Sequence, residues 1–483
     1  MDDKPRVEFK GNPEHLAKLT EGVNAWNAWR EENLDIAPEL QGADIQEADL
    51  REANLSGANL RRARLVGARL QEANLEEARL SGSILARANL MRANLHLADL
   101  SWADLEDASL REAVSSGAVL KGASLQRVNL NGADLRQARL GGADLRQARL
   151  RTADLRQANL EKVDLRDADL AKANLGKADL TWAILTRANL EGARLPDARL
   201  FHTRLQGANL SAARFDNALL TKAEVNGACL EGAELKAADL RDANLEGASL
   251  RRADLRGANF GGANLNSANL RDASLEGASL KRADLRGANL EEADLNRADL
   301  REAQLGDARL LRVRCDNTTF EDVAWHSADG SLPDPANYKG FDVRGIRYSD
   351  PLFDQFVREV NFVAACAKKW PKWLFWLWKK SCDCGRSPLL WLDKAAQTIL
   401  LFGLLYGLTR LVGYPIVDLS PGKKLNVLTD LYFSVVTFST LGFGDVTPTC
   451  SLGELMVMVE VLLGYAFLGG AISIFTTKFI PPR

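Results

Sequence analysis

The chain has 483 residues, enough for two or three domains, with 62 Lys and Arg against 64 Asp and Glu and a formal net charge of -2. This balance excludes a global field suited to nucleic acid or an anionic surface, and the six scattered cysteines do not suggest a disulfide framework. Residues 1–12 are polar and charged without an apolar core segment, so no secretory signal opens the chain and its soluble part is expected in the cytosol.

Pro13 to about Asn33 predicts one helix, with Leu16, Leu19, Val23 and Trp26 at three- and four-residue spacing and Trp29 extending the same face. Residues 1–40 are expected to form a helical cap over the open apolar end of the repeats that follow. The alternative is a membrane- or partner-binding helix.

From Ile45 to Phe320 an apolar residue returns at every fifth position, as in Ala53-Asn54-Leu55 and Ala58-Asn59-Leu60. About 56 units run in one phase without an insertion, so neither a helix nor a strand period fits and a repeat architecture is required. The unit A-[DN]-L-x-x resembles the pentapeptide repeat family. That resemblance implies a right-handed, four-sided β-helix with four pentapeptides per coil over residues 41–325. Leu and the Ala two before it would point inward and the other three residues outward. About fourteen coils stacked at the strand spacing of about 4.8 Å would give a rod of roughly 65 Å.

Departures from the pattern mark special layers. Phe215, Phe260 and Phe320 overfill the Leu position, Val225 and Cys315 underfill it, and Ser115 places a hydroxyl there. Val128, Val163, Thr203, Val313 and Thr318 enlarge the Ala position, while Trp102 and Trp182 fall outside the core positions. Some members of the resembled family mimic DNA with a strongly acidic rod. Residues 41–320 carry a net charge of only about +1, with Arg and Asp interleaved, which argues against mimicry and for a solvated surface.

Residues 326–388 are expected to connect the rod to an apolar region. Ser331 to Pro335 has turn chemistry, and Leu352 to Ala367 predicts a helix. Lys368 to Lys380 places Trp370, Trp373, Trp376 and Trp378 among lysines, a composition that suits the inner membrane interface, with the rings at the acyl boundary and the ammonium groups on anionic lipid. Cys382 and Cys384 with Cys366 lack the CxxC or nearby His that would complete a zinc site. Ser387-Pro388 has N-cap and first-turn chemistry.

Residues 389–483 carry two apolar stretches, Leu389 to about Tyr414 and Leu452 to Thr477, each long enough to cross roughly 30 Å of hydrocarbon. Between them Val427 to Ser439 has the length of a short pore helix, and Thr440-Leu441-Gly442-Phe443-Gly444-Asp445 follows. Alternate glycines let successive carbonyls point to one axis, where a ring of backbone oxygens can replace the hydration shell of a cation. One chain supplies only part of such a ring, so a symmetric assembly is implied. Residues 427–448 resemble the pore loop of the two-transmembrane potassium channel family, whose filter is written T-V-G-Y-G-D. The resemblance implies Thr440 to Asp445 as selectivity filter and ion-binding site, potassium as the permeant ion, and a homotetramer. Leu441 and Phe443 depart from it, and Phe443 lacks the hydroxyl that would hydrogen-bond behind the filter.

Basic residues at 368–386 before the first stretch, and Lys478 and Arg483 after the second, predict an inner-membrane protein with both termini cytosolic. Gly464 falls where the resemblance places a gating hinge, and Gly469 and Gly470 are alternatives. Glu460 is an intramembrane carboxylate with two open readings: pairing with Arg410, or bonding to backbone or water behind the pore helix. No enzyme constellation appears, and the four His, at 15, 96, 202 and 326, are isolated. The functional expectation is a homotetrameric cation channel, potassium-selective and without cofactor. Its partners would be membrane lipids and an unidentified cytosolic protein or ligand, with no nucleic acid. As Arg483 follows the second stretch closely, gating control is expected through the N-terminal half. The alternative is a membrane-anchored scaffold that conducts little.

Overall fold

The computed structural model describes residues 8–327, 329–343, 346–347, 351–369, 372, 388–411, 417–419, 427–439, 446–448 and 451–479. The chain divides into two compact units, residues 1–357 and 358–483.

In the first unit, isolated parallel bridges join each residue of the [DN] column to the one twenty positions on, from Glu39 with Asn59 through Gln304 with Ala324. Turns recur every fifth residue between these bridges, so each coil has four sides. From Leu50 to Leu310 the Leu and Ala of the units are buried essentially completely, as at Ala53, Leu55, Ala58 and Leu60. Coil-to-coil hydrogen bonds satisfy the backbone on both sides of the bridge, as when Leu55 N donates to Asn74 O at 2.7 Å and Asn74 N to Ala53 O at 3.0 Å.

The corners follow from turn chemistry. In each unit the Ala N–H donates to the Leu carbonyl three residues back, as Ala58 does to Leu55 at 3.1 Å. The second of the two residues between them adopts positive φ, 52–73°, at every corner from Gly42 to Asp322. Positive φ at the third position is the signature of a type II turn, and glycine adopts it without strain. Asx geometry explains the Asp or Asn before each Leu: its Oδ1 accepts the backbone N–H two residues on, as Asn74 does from Glu76 at 3.1 Å and Asp134 from Arg136 at 3.1 Å. Where Arg stands at that second position its guanidinium also forks onto the same carboxylate, as in Arg136–Asp134 and Arg241–Asp239. The Arg51 hydrogen bond holds Asp49 down at about 2.

Polar residues in the core columns find backbone partners in the coil. Thr203 Oγ1 donates to the Leu180 carbonyl at 2.9 Å and Thr318 Oγ1 to that of Leu295 at 2.7 Å. Ser115 is different: its hydroxyl is buried at a Leu position with no hydrogen-bond partner. Replacing it by the consensus residue removes an unsatisfied hydroxyl and fills the layer. Ser115→Leu is expected to stabilise the surrounding coils by about 2 kcal/mol, measured as roughly thirtyfold slower amide exchange in the flanking layers. Unchanged or faster exchange would contradict it.

Both ends of the stack are closed. At the N-terminal end the expected single helix is two, α1 (Pro13–Thr20) and α2 (Val23–Glu32). The break is Gly22, whose φ of 111° and ψ of 163° interrupt the helical path. Trp26 of α2 is fully buried. The same helix supplies the hydrogen bonds that a preceding coil would have made. Trp26 Nε1 donates to Asn54 O at 2.8 Å, Asn54 N donates to Asn27 Oδ1 at 2.8 Å, and Arg30 Nη2 donates to Ser56 O at 3.1 Å.

At the other end the chain runs through residues 331–334 without regular structure, makes a short 3-10 turn at Pro335–Tyr338 and returns to the coils. Leu310 N donates to Asn337 O at 2.7 Å, and Arg347 bridges Thr319 in parallel. An aromatic cluster of Phe320, Trp325, Tyr338 and Phe341 meets Phe353 and Phe356 of α3 (Pro351–Lys369), with Phe320 and Phe353 rings 5.9 Å apart. Cys315 lies under this end, and burial pushes its thiol up to about 12. Of the two tryptophans outside the core, Trp102 is 68 % exposed, while Trp182 stacks on His202 with ring centroids 4.0 Å apart.

The second unit contains α4 (Pro388–Leu411), α5 (Val427–Phe438) and α6 (Ser451–Phe479), with two short strands, β1 (Val417–Leu419) and β2 (Val446–Pro448). Among the described residues no helix is long and apolar enough to cross a membrane. The expected stretches at 389–414 and 452–477 each include residues or side chains outside those described.

Candidate functional site

α5 is a short apolar helix held against two longer ones, and small residues bring it close to α4. A Cβ at Gly403 would meet the Leu431 Cα at 3.2 Å, and one at Gly407 would meet Asp430 Oδ2 at 3.3 Å. A four-residue spacing places both glycines on one face of α4, so the two backbones approach closely. Tyr406 packs edge-on to Phe433 with ring centroids 5.1 Å apart, and Phe402 joins the same buried cluster.

α6 approaches the same face of α5 nearer its C-terminal end. A Cβ at Gly464 would stand 3.0 Å from the Phe438 carbonyl carbon and 3.4 Å from its Cα, with the carbonyl oxygen nearer than either. Gly464 therefore serves close packing at the C-terminal end of α5, and α6 runs through it without a break. Phe438 and Phe467 complete the contact with ring centroids 5.2 Å apart.

Between these helices lies a buried polar group. Glu460 of α6 is fully buried. Its Oε2 accepts a hydrogen bond from Tyr406 Oη of α4 at 2.8 Å, and its Oε1 is hydrogen-bonded to Ser434 Oγ of α5. Ser434 Oγ also lies 2.8 Å from the Ile399 carbonyl of α4. The carboxyl thus joins three helices through two hydroxyls, the arrangement a buried polar group needs to offset its desolvation. The hydrogen bonds of Glu460 go to two side-chain hydroxyls, partners that neither of the two open readings named. The Arg410 side chain lies outside the described residues.

Thr440, Leu441, Gly442, Phe443, Gly444 and Asp445 lie outside the described residues, as do Trp370, Trp373, Trp376 and Trp378. Described structure flanks the glycine motif on both sides. Ser439 N donates to Val435 O at 3.0 Å at the end of α5. Beyond the motif β2 pairs antiparallel with β1, Val417 opposite Pro448 and Leu419 opposite Val446. Gly469 and Gly470 fall within α6. Tyr406, Ser434 and the Gly403/Gly407 pair were not singled out from sequence. The glycine spacing was a readable signal, whereas the two hydroxyls carry no signal until the helices are packed.

Large apolar side chains on α4 and α6 are exposed in the single chain, among them Leu404 at 69 %, Leu408 at 58 %, Leu455 at 55 % and Leu462 at 63 %. An exposed apolar surface of this kind marks contact with lipid or with further protein.

Comparison with known proteins separates the same two regions. Eight copies of the family model described as pentapeptide repeats match between residues 39 and 310, and the model described as ion channel matches residues 396–480. Potassium channel subfamily T member 1 of Mus musculus is 55 % identical over 40 residues, 8 % of this chain and 3 % of that protein. Two-pore potassium channel 4 of Arabidopsis thaliana is 42 % identical over 52 residues, 11 % of this chain and 18 % of that protein. The matches thus span a small part of these relatives' length. Among solved structures, HetL, a pentapeptide repeat protein involved in heterocyst differentiation regulation from the cyanobacterium Nostoc, is 33 % identical. The match covers 49 % of this chain and 89 % of HetL, with a TM-score of 0.19.

Proposed function

The chain belongs to the pentapeptide repeat family, and from that premise, with an ion channel domain at 396–480, we propose that it is the subunit of a homotetrameric potassium-selective channel. Residues 440–445 of four chains form the filter, and potassium ions are the permeant species. The coils wind right-handed, and the repeat unit regulates gating or anchors a cytosolic partner. α4 and α6 cross the inner membrane with both termini cytosolic, and the tryptophans at 370–378 lie at its inner surface. Gly464 acts as the gating hinge in this reading, with Gly469 and Gly470 nearer the cytosolic end.

The observation that carries the proposal is α5: a short helix packed against two longer apolar helices, with the glycine motif following directly on its C-terminal end. The last turn of α5 carries no basic residue, so no side-chain charge there offsets the partial negative charge of the helix C-terminus, from which the chain runs on into residues 440–445. The exposed leucines of α4 and α6 supply the surface that lipid and neighbouring subunits would cover.

Purified protein in planar bilayers tests this. The expected result is a current that reverses near the potassium equilibrium potential and disappears in Gly442→Asp, which places a side chain and a charge in the carbonyl ring. A wild-type protein silent under all conditions would instead support a membrane-anchored scaffold.

A further inference from the structure

Glu460 and Gly464 lie one turn apart on α6, and Ser434 and Phe438 lie one turn apart on α5. The pairs meet in register: Glu460 bonds Ser434, and Gly464 receives the Phe438 carbonyl. The first contact is polar and directional, the second steric. Tyr406 ties the same carboxyl to α4 from the far side at 2.8 Å. The surroundings are apolar, with Phe402, Phe433, Met456, Val457 and Leu463 in the adjoining cluster. A leucine at 460 would meet the demands of burial there, while a buried carboxyl is costly. What the carboxyl adds over an apolar residue is a fixed register between helices, the best attested use of a buried polar group.

We propose that Glu460 is a positioning residue for conduction: it fixes α6 against the rear of α5 and so sets the depth at which α5 presents residues 440–445 to the pore axis. The inference rests on the channel reading above. It gives α6 a second task, because any displacement of this helix must either carry α5 along or break the bonds to Ser434 and Tyr406. Movement of α6 is thereby coupled to α5, the helix that leads into residues 440–445, through named atoms.

Single-channel recording of the full chain tests it, comparing wild type with Glu460→Gln, Glu460→Leu, Tyr406→Phe and Ser434→Ala. A carboxamide can accept from Tyr406 and donate to Ser434 Oγ. Glu460→Gln is therefore expected to keep open probability and the potassium-to-sodium permeability ratio within about twofold of wild type. Glu460→Leu is expected to lower open probability about tenfold and to reduce the permeability ratio, with Tyr406→Phe and Ser434→Ala between these limits. Rescue by the glutamine variant is the readout that a purely structural role would not produce.

Wild-type openings and permeability ratio in Glu460→Leu channels, whatever their yield or melting temperature, would overturn the proposal. So would a glutamine variant as impaired as the leucine one. If wild type itself carries no current, the channel reading fails and this inference with it. If wild type conducts and the leucine variant is indistinguishable from it, only this inference fails.

Discussion

Gly464→Ala is expected to abolish the assembled, conducting form. The added Cβ would stand 3.0 Å from the Phe438 carbonyl carbon and nearer still to its oxygen, so the obstacle is backbone rather than the end of a flexible side chain. Relief requires α5 and α6 to separate. Separation would strain the Glu460–Ser434 bond one turn away and the Phe438–Phe467 contact beside it. Overpacking in a well-filled core costs about 1–3 kcal/mol and more where nothing can yield, and several contacts here would be disturbed together. Loss of tetramer on native gels and of current in bilayers are the measurements. Gly403→Ala serves as comparison: its nearest neighbours, Leu431 Cα and Cδ1, stand at 3.2 Å, so a milder defect is expected. A Gly464→Ala channel with normal yield and conductance would show that α6 does not approach α5 as described.

Trp26→Ala is expected to destabilise the N-terminal end of the coil stack by about 3–5 kcal/mol, the usual cost of truncating a fully buried aromatic. Two losses combine. The indole is completely buried, and its Nε1 is the donor that satisfies Asn54 O at the edge of the first coils. Without it the edge presents unpaired backbone groups, a template for pairing with another chain. Amide exchange should rise across the first coils and leave the central ones protected, since stability in a repeat stack is carried by nearest-neighbour contacts. Aggregation through the uncapped end is the accompanying expectation, measured by light scattering. Uniform protection throughout the stack would refute the capping role of α2.

The coils were legible because one constraint repeats: Ala and Leu return every fifth residue from Ala53 to Leu310 with few exceptions, and both columns are buried. The corners were less so. Every corner is left-handed, yet most carry a residue other than glycine, often Arg, Asp, Glu or Lys, so residue identity did not reveal the conformation. The Asp and Asn residues were read as merely solvated, whereas their Oδ1 atoms close the turns, as at Asn74 and Asp134. The N-terminal segment read as one helix because its apolar spacing continues through Gly22, and spacing alone does not register a backbone break. In the second unit the short helix preceding the glycine motif was legible from its length and apolarity. The partners of Glu460 were not: Tyr406 is 54 residues away and Ser434 26, and no periodicity links residues on separate helices. Hydroxyls at those positions acquire meaning only once the helices are packed.

The bridge interval of twenty residues has a geometric consequence for how such a rod can change length. Inserting or removing one whole coil leaves every later side chain on its original face and only translates it along the axis. Inserting a single pentapeptide preserves every buried Leu and Ala and every corner, yet turns all that follows by a quarter revolution, moving Trp182 and the surface around it to a different side. The stack works as an indexing device in which twenty residues set distance and five residues set direction.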